Sequence, residues 1–367
     1  MEEDMIRTVI RAQQTLHSLA ERSGQERRTQ ACLRQFLAER TGLRVEDRGR
    51  WLYAVHDEGA PETVVVRADH DAVPTAEGAA HLCGHDGHTA ALLGLALLLE
   101  GQSLGKNVIL LFQHAEETGA GAPECRALFA LEGLHPEHAC ILGCHNIPGE
   151  PLGTLLLRRG SFACASCGVE ISLAGRPAHA AYPENGRSPV AAAARLALEL
   201  PALARALAQR HGCMCLATVV GMRLGERAFG VAASEGQLWI TLRAERQEAF
   251  DELKRRTEET VRAAAEAEGL GWTLRLEDEF PATVNDPALE AKLEAVCAAE
   301  GLPCRFPAQP FRWSEDFGHY GRDLPACFFG VGAGEETPPL HTAAYVWPAA
   351  LAPQLAELWL RLLRGLP

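Results

Sequence analysis

The chain has 367 residues, 47% of them hydrophobic and 23% charged, and carries a formal charge of −13. At about 100–200 residues per domain this length suggests two domains. The acidic balance argues against a nucleic-acid or anionic-membrane partner, either of which wants a basic face, and no apolar run approaches the roughly 20 residues of a membrane helix.

The N-terminal MEEDMIRTVI is acidic and shows no basic segment followed by an apolar one, so a soluble cytoplasmic protein is expected. The 12 Cys are scattered through apolar neighbourhoods and read as reduced, mostly buried thiols. Cys164 and Cys167 have C-x-x-C spacing, but no second pair stands at zinc-ribbon distance, and Cys213 and Cys215 fall in an expected strand.

In chain order, residues 4–40 read as helical with breaks at Ser18 and Ser23, and Arg44 to Val55 as a short hairpin. TVVVRA (Thr63 to Ala68) is β-branched and reads as a buried strand, and TAALLGLALLL (Thr89 to Leu99) as a buried helix. NVILLFQ (Asn107 to Gln113) and ACILGC (Ala139 to Cys144) are two further apolar strands, each running into a polar cluster. Strand, polar cluster and helix in alternation mark a largely parallel α/β layer.

From Phe162 the texture changes. CGVEISLAGRPAHAAYP gives a strand and a turn, SPVAAAARLALELPALARAL a helix, CMCLATVVGMRLG and EGQLWITLRA two strands, AFDELKRRTEETVRAAAEAEG a charged helix and TLRLEDEF a last strand. The order β-α-β-β-α-β fits a ferredoxin-like α+β sandwich of about 110–120 residues. It interrupts the first domain, because PACFFGVGAG, HTAAYVWP and a terminal amphipathic helix resume the earlier alternation. The expected architecture is therefore α/β: a mixed, mainly parallel sheet with helices on both faces, built from residues 1–161 and 283–367, with an inserted α+β domain at residues 162–282.

Chemistry concentrates where the strands end. DHDAVPTAEGAAHLCGHDGH (Asp69 to His88) holds four His, four acidic residues and one Cys. In open α/β sheets ligands bind at the carboxyl ends of strands. Asp69, Asp71, Cys83, His85, Glu116, Glu117, His145 and His341 come from distant segments yet all follow expected strand ends. Thiolate, imidazole and carboxylate together suit zinc- or manganese-class ions, whereas calcium or magnesium would want oxygen throughout. There are more candidate ligands than one tetrahedral site needs, so two ions are expected. The adjacent Glu116 and Glu117 point different ways at a strand end, so one carboxylate can bind metal while the other serves as general base.

RADHDAVP, HLCGHDGH, FQHAEETGAGA, GCHNIPGEPLG, GRPAHAAYP, the SEDFG at Ser314 to Gly318 and LHTAA resemble the signature blocks of the di-metal aminoacylase/carboxypeptidase family of metallopeptidases, in its amidohydrolase branch. Hippurate hydrolases, indole-acetyl-amino-acid hydrolases and N-acetyl-diaminopimelate deacetylases belong to that branch. The resemblance runs from about residue 10 to the end. It implies Cys83, His85, Glu117, His145 and His341 as metal ligands, Glu116 as the base that takes a proton from water, and Asp71 as a partner orienting a ligand. It also implies that the insert is a lid carrying a homodimer contact, and that His179 on it reaches a substrate site to donate to the oxyanion. Asn285 and Arg243 match polar residues near the substrate, the Arg suited to a carboxylate.

The sequence departs from the family's pattern at His70, between Asp69 and Asp71, and at His114, where Pro is common. Gly230 stands at the position of a lid Asn tied to substrate recognition, Ala233 replaces a Pro, and the tail through Trp347 differs after the last ligand. The expected function is metal-dependent hydrolysis of the amide bond of N-acyl amino acids or similar small conjugates, with two Mn2+ or Zn2+ ions per subunit. Three readings stay open beside it: a metallo-exopeptidase on short peptides, a non-catalytic binding descendant, and a free catalytic thiol at Cys83.

Overall fold

The computed structural model describes residues 1–366. The chain divides into two compact units, one made of Met1–Phe162, Thr283–Pro310 and the chain from Glu315 onward, the other of Ala163–Ala282 and Phe311–Ser314. The larger unit begins with α1 (Glu3–Ser18), α2 (Arg27–Arg40), β1 (Arg44–Asp47), β2 (Leu52–His56), β3 (Thr63–Asp69), α3 (His85–Leu99), β4 (Asn107–Gln113), β5 (Ala139–Ile147) and β6 (Leu155–Leu156). The smaller unit carries β7 (Ala165–Ala174), α4 (Val190–His211), β8 (Cys215–Leu224), β9 (Glu235–Ala244), α5 (Gln247–Ala267) and β10 (Gly271–Phe280). The larger unit resumes with α6 (Pro287–Ala299), β11 (Cys304–Arg305), β12 (Ala326–Gly332) and α7 (Leu351–Gly365).

The large sheet has the order β1-β2-β4-β3-β5-β12-β6-β11. Its four central strands, β4, β3, β5 and β12, are mutually parallel, and β2 and β6 run antiparallel to their inner neighbours. Register aligns the carboxyl ends: Asp69 sits opposite Gln113, Arg67 opposite Gly143, and His145 opposite Gly330. One rim therefore collects the residues that leave these strands.

α3 is apolar on nearly every side and is buried along almost its whole length, which is what a helix without a polar face requires. It packs between α1 and α7 over Val64, Val66 and Ala68 of β3. The opposite face of the sheet is closed by short helical turns, where Tyr320 stands edge-on to Phe129 and Phe317, and Phe317 packs at a tilt on Phe328 of β12. Among the described residues no helix is long and apolar enough to cross a membrane.

In the smaller unit the strands order as β8-β9-β7-β10, every pair antiparallel. The inward side chains of β9 (Leu238, Ile240, Leu242) alternate with exposed or half-buried ones and pack with α4 and α5 into a separate core.

The structure corrects four local expectations. α3 starts at His85 rather than Thr89, so His85 and His88 lie on its first turn. β5 runs on to Ile147 and carries His145 within it. HTAAYVWP is not a strand but a loop that buries Tyr345 and Trp347. Phe311–Ser314 joins the smaller unit, because the Cys164 N–H donates to Phe311 and Trp313 carbonyls at 3.1 Å each. Sequence pattern cannot show this last attachment, which rests on these backbone bonds and on the Arg243 side chain.

Candidate metal centre

Each donor is delivered by a different local device. Cys83 sits in a turn completed by Gly84, whose φ of +97° favours glycine; a Cβ there would also meet Asn146 Oδ1 at 2.6 Å. Gly87 leaves room for the Trp347 ring, which a Cβ would approach to 2.1 Å. Glu116 and Glu117 follow β4 after Ala115, a non-glycine residue at φ 49°. His341 also lies in the left-handed region at φ 60°, and its N–H donates to Leu82 O at 2.8 Å, tying the late loop to the turn before Cys83.

These devices bring five donors together. Cys83 Sγ lies 3.3 Å from His145 Nε2 and 3.2 Å from His341 Nε2. His341 Nε2 is 3.4 Å from Glu117 Oε1, and His85 Nε2 is 3.9 Å from the same oxygen and 4.0 Å from Glu116 Oε2. Three groupings with donor atoms within 4.8 Å of one another result: Cys83, His85 and His145; Cys83, Glu117 and His341; and His85, Glu116 and Glu117.

The donor set fits divalent ions. Ligands around a tetrahedral ion with bonds of about 2.0–2.3 Å stand roughly 3.5 Å apart, close to the separations at Cys83. His85 Nε2 is buried without a hydrogen bond, although buried polar atoms are normally satisfied, and Glu117 Oε1, also buried, meets only the His341 ring at 3.4 Å and the His85 ring at 3.9 Å. The other nitrogen of His85 faces Asp71 Oδ1 at 3.0 Å, which leaves Nε2 as the coordinating atom.

Electrostatics point the same way. Hydrogen bonds to Cys83 and Glu117 push the His341 imidazole up to about 10, and the Asp69 charge with the Asp71 and Cys83 hydrogen bonds raises His85 against its burial. Burial pushes the Cys83 thiol up, opposed by the charge of His85. Burial alone would raise the Asp71 carboxyl, but His85, the Ser23 hydroxyl and the Glu117 N–H hold it at about 2. Glu116 is held well above the usual carboxylate range by burial and then by Glu315, Asp316 and Glu117, so it is neutral in the ion-free chain.

These shifts fix the sign of one pH effect. A metal must displace protons from His341 and from the Cys83 thiol, and both hold them above their ordinary values. Affinity for Zn2+ is expected to tighten as pH rises from about 6 to 9, with proton release on binding. Calorimetric titration in buffers of different ionisation enthalpy measures both; a flat pH dependence would remove these two residues from the ligand set.

Around the donors lie supports that sequence reading did not pick out. His88 bridges Asp69 Oδ1 and Asn146 Oδ1 at 2.7 Å each, and Asn146 Nδ2 donates to Tyr345 Oη at 2.8 Å. The His88 ring stands edge-on to His145 at 4.7 Å and to Trp347 at 5.6 Å. Arg67, 2% exposed, donates to Asp69 at 2.7 Å, Glu315 at 2.9 Å, Asp316 at 2.8 Å and Gln113 at 2.8 Å. Asp316 in turn accepts from Gln113 Nε2 and the Ala122 N–H, and its own N–H donates to Glu116 Oε1 at 3.3 Å. An Arg inside a β-branched run was the available signal for this network, since unpaired buried charge is prohibitive.

Residues 65–365 match Peptidase family M20/M25/M40. The chain belongs to this family. The N-acetyl-L-cysteine deacetylase of Bacillus subtilis is 30% identical over 333 residues, 86% of this chain and 78% of that protein. The IAA-amino acid hydrolase ILR1-like 5 of Arabidopsis thaliana is 34% identical across 73% of this chain and 65% of its own length. Two solved structures share the fold. A putative aminohydrolase from methicillin-resistant Staphylococcus aureus has a TM-score of 0.85 at 22% identity and covers 100% of both chains. Bacillus subtilis YXEP, described as a dinuclear metal-binding peptidase, has a TM-score of 0.82 at 23% identity, covering 99% of this chain and 98% of that one.

In this M20 chain the remaining expected site residues each have their own local surroundings. His179 is an exposed residue of the smaller unit, paired with Val231 and 6.0 Å ring to ring from Tyr182. The Asn285 amide donates to the Arg158 and Phe328 carbonyls and accepts from the Phe328 N–H, binding the backbone together. Arg243 is likewise engaged, donating to Arg312 O and to Ser314 Oγ, so it braces the 311–314 segment within its own unit. His70 is buried with neither ring nitrogen hydrogen-bonded, and burial lowers it to about 3. His114 is buried against Glu124 at 3.3 Å. A Cβ at Gly230 meets nothing within 4 Å. All 12 Cys are free.

Proposed function

We propose that this M20 chain hydrolyses the amide bond of small N-acyl amino acids or related conjugates, using two divalent ions, Mn2+ or Zn2+, held by Cys83, His85, Glu117, His145 and His341. The observation that carries the reading is the buried His85 Nε2, which has no hydrogen bond and faces Glu117 Oε1 at 3.9 Å beside a separate carboxyl, Glu116. The deacetylases and the IAA-amino acid hydrolase among its relatives support the substrate class.

Divalent ions in such a site polarise the scissile carbonyl and make water a competent nucleophile at neutral pH. Glu116 takes the proton of the attacking water and passes it to the leaving amine. Asp71 holds His85 in the tautomer whose free Nε2 faces the site, and fixes the Glu117 N–H at 3.0 Å. His179 is the donor proposed for the oxyanion. The exposed Leu216, Val220 and Met222 on the edge strand β8 support a homodimer through the smaller unit, since an apolar edge invites pairing. Free thiols throughout suit a reducing compartment and support a cytoplasmic location.

The test is release of free amine from a panel of N-acyl amino acids and dipeptides with Mn2+ or Zn2+ added. Turnover of acyl amino acids is expected, with His179→Ala lowering kcat while metal content stays unchanged. A preference for dipeptides would move the assignment to an exopeptidase, and metal-replete chain inactive on every member would overturn it.

A further inference from the structure

The turn that presents Glu116 and Glu117 is not held by β4 alone. Ala115, immediately before them, has φ 49°, a conformation that side chains other than glycine rarely adopt and that persists only where neighbours over-determine it. Its carbonyl accepts from the N–H groups of Ala120 and Gly121 at 3.2 and 3.0 Å, closing the turn on its far side. Its N–H donates at 2.9 Å to Glu26 Oε1, which also accepts from Gly24 N–H at 2.8 Å. Glu26 comes from the loop between α1 and α2, and is 4% exposed.

The same loop reaches the other side of the glutamate pair. Ser23 Oγ donates to Asp71 Oδ2 at 2.7 Å, and that oxygen accepts the Glu117 N–H at 3.0 Å. Backbone pairing fixes the loop itself: Arg22 bridges Ala72, and the Ala72 N–H donates to Glu21 O at 2.9 Å. Glu116 and Glu117 thus sit between two braces that start three residues apart in one loop.

We propose that Glu26 is a positioning residue for the Glu116–Glu117 turn, acting through the Ala115 backbone, with Ser23 as the matching brace through Asp71. This rests on the reading of Glu117 as a metal ligand and Glu116 as the base. Neither residue touches the reacting atoms. They set where the two carboxylates point, and partners of this kind carry about 10–100-fold in metal affinity or activity.

The experiment measures Mn2+ affinity by calorimetry on the full chain for the parent, Glu26→Ala, Glu26→Gln and Ser23→Ala, with kcat and KM on whichever acyl amino acid the parent turns over. Glu26→Ala is expected to weaken Mn2+ binding about 10-fold or more and to lower kcat with little change in KM. Glu26→Gln keeps an acceptor for the Ala115 N–H and is expected to stay within about 3-fold of the parent, a rescue that a purely space-filling role does not predict. Ser23→Ala is expected to weaken Mn2+ binding by a smaller factor, and it reads the same turn if Glu26→Ala fails to fold. Parent-like Mn2+ affinity in both alanine variants, or a glutamine variant as weak as the alanine one, overturns the inference. A parent that binds Mn2+ without turning anything over sinks the amidase reading and leaves the affinity comparison standing. A parent that binds no Mn2+ overturns both.

Discussion

Glu116→Gln is expected to bind the same metal complement as the parent and to lose about 10²–10⁴-fold in kcat, the usual contribution of a positioned general base. The substitution is clean for a physical reason. Burial and the neighbouring Glu315, Asp316 and Glu117 keep Glu116 neutral in the ion-free chain, so glutamine introduces no new buried charge and removes none. Its carbonyl can still accept the Asp316 N–H that now reaches Oε1. Elemental analysis with single-turnover amine release checks the outcome. Parent-like rates in the variant would take Glu116 out of the proton transfer, and a matching fall in metal content would make it a ligand.

The second large effect is on folding. Arg67→Met is expected to cost at least about 3–5 kcal/mol, because removing one partner of a buried ion network leaves the others without compensation. Here the survivors are Asp69, Glu315 and Asp316, all 0–1% exposed. Burial would lower the Arg67 charge, but these three carboxylates hold it well above its ordinary value. Without the guanidinium Glu315 and Asp316, which burial already raises, titrate as buried acids, while His85 and His88 still hold Asp69 low, so the variant is destabilised most at high pH. The deficit should shrink as pH falls toward about 4, where protonation removes the unpaired charges. Urea unfolding at several pH values reads this directly; a deficit that grows as pH falls would contradict the network.

The two-unit α/β architecture was legible because hydrophobic pattern dictates it: the TVVVRA and NVILLFQ runs could only be buried strands, and the β-α-β-β-α-β order from Phe162 onward recurs in the smaller sheet. Eight candidate donors were legible because His, Cys and carboxylates recur at strand ends, and the resemblance singled out Cys83, His85, Glu117, His145 and His341, whose donor atoms lie in overlapping groups. What stayed hidden depends on backbone geometry. HDGH looks like a loop by polarity, yet each of its His and Asp side chains bonds a residue from another segment, Asp71, Gln13 or Asp69, which lets α3 begin at His85. Asn285 and Arg243 donate to carbonyl oxygens, partners that no sequence displays. Ser23 reads only as a break in the helical pattern, and Glu26 gives no signal, because their partners Asp71 and Ala115 lie far along the chain.

The most direct measurement is a metal titration of stripped protein followed by amine release from a hydrolysed acyl amino acid. The two-ion site predicts no turnover in the stripped chain and activity that rises with added Mn2+ or Zn2+ to a plateau near two ions per chain. Full turnover in the stripped chain, or activity indifferent to added ion, would contradict it.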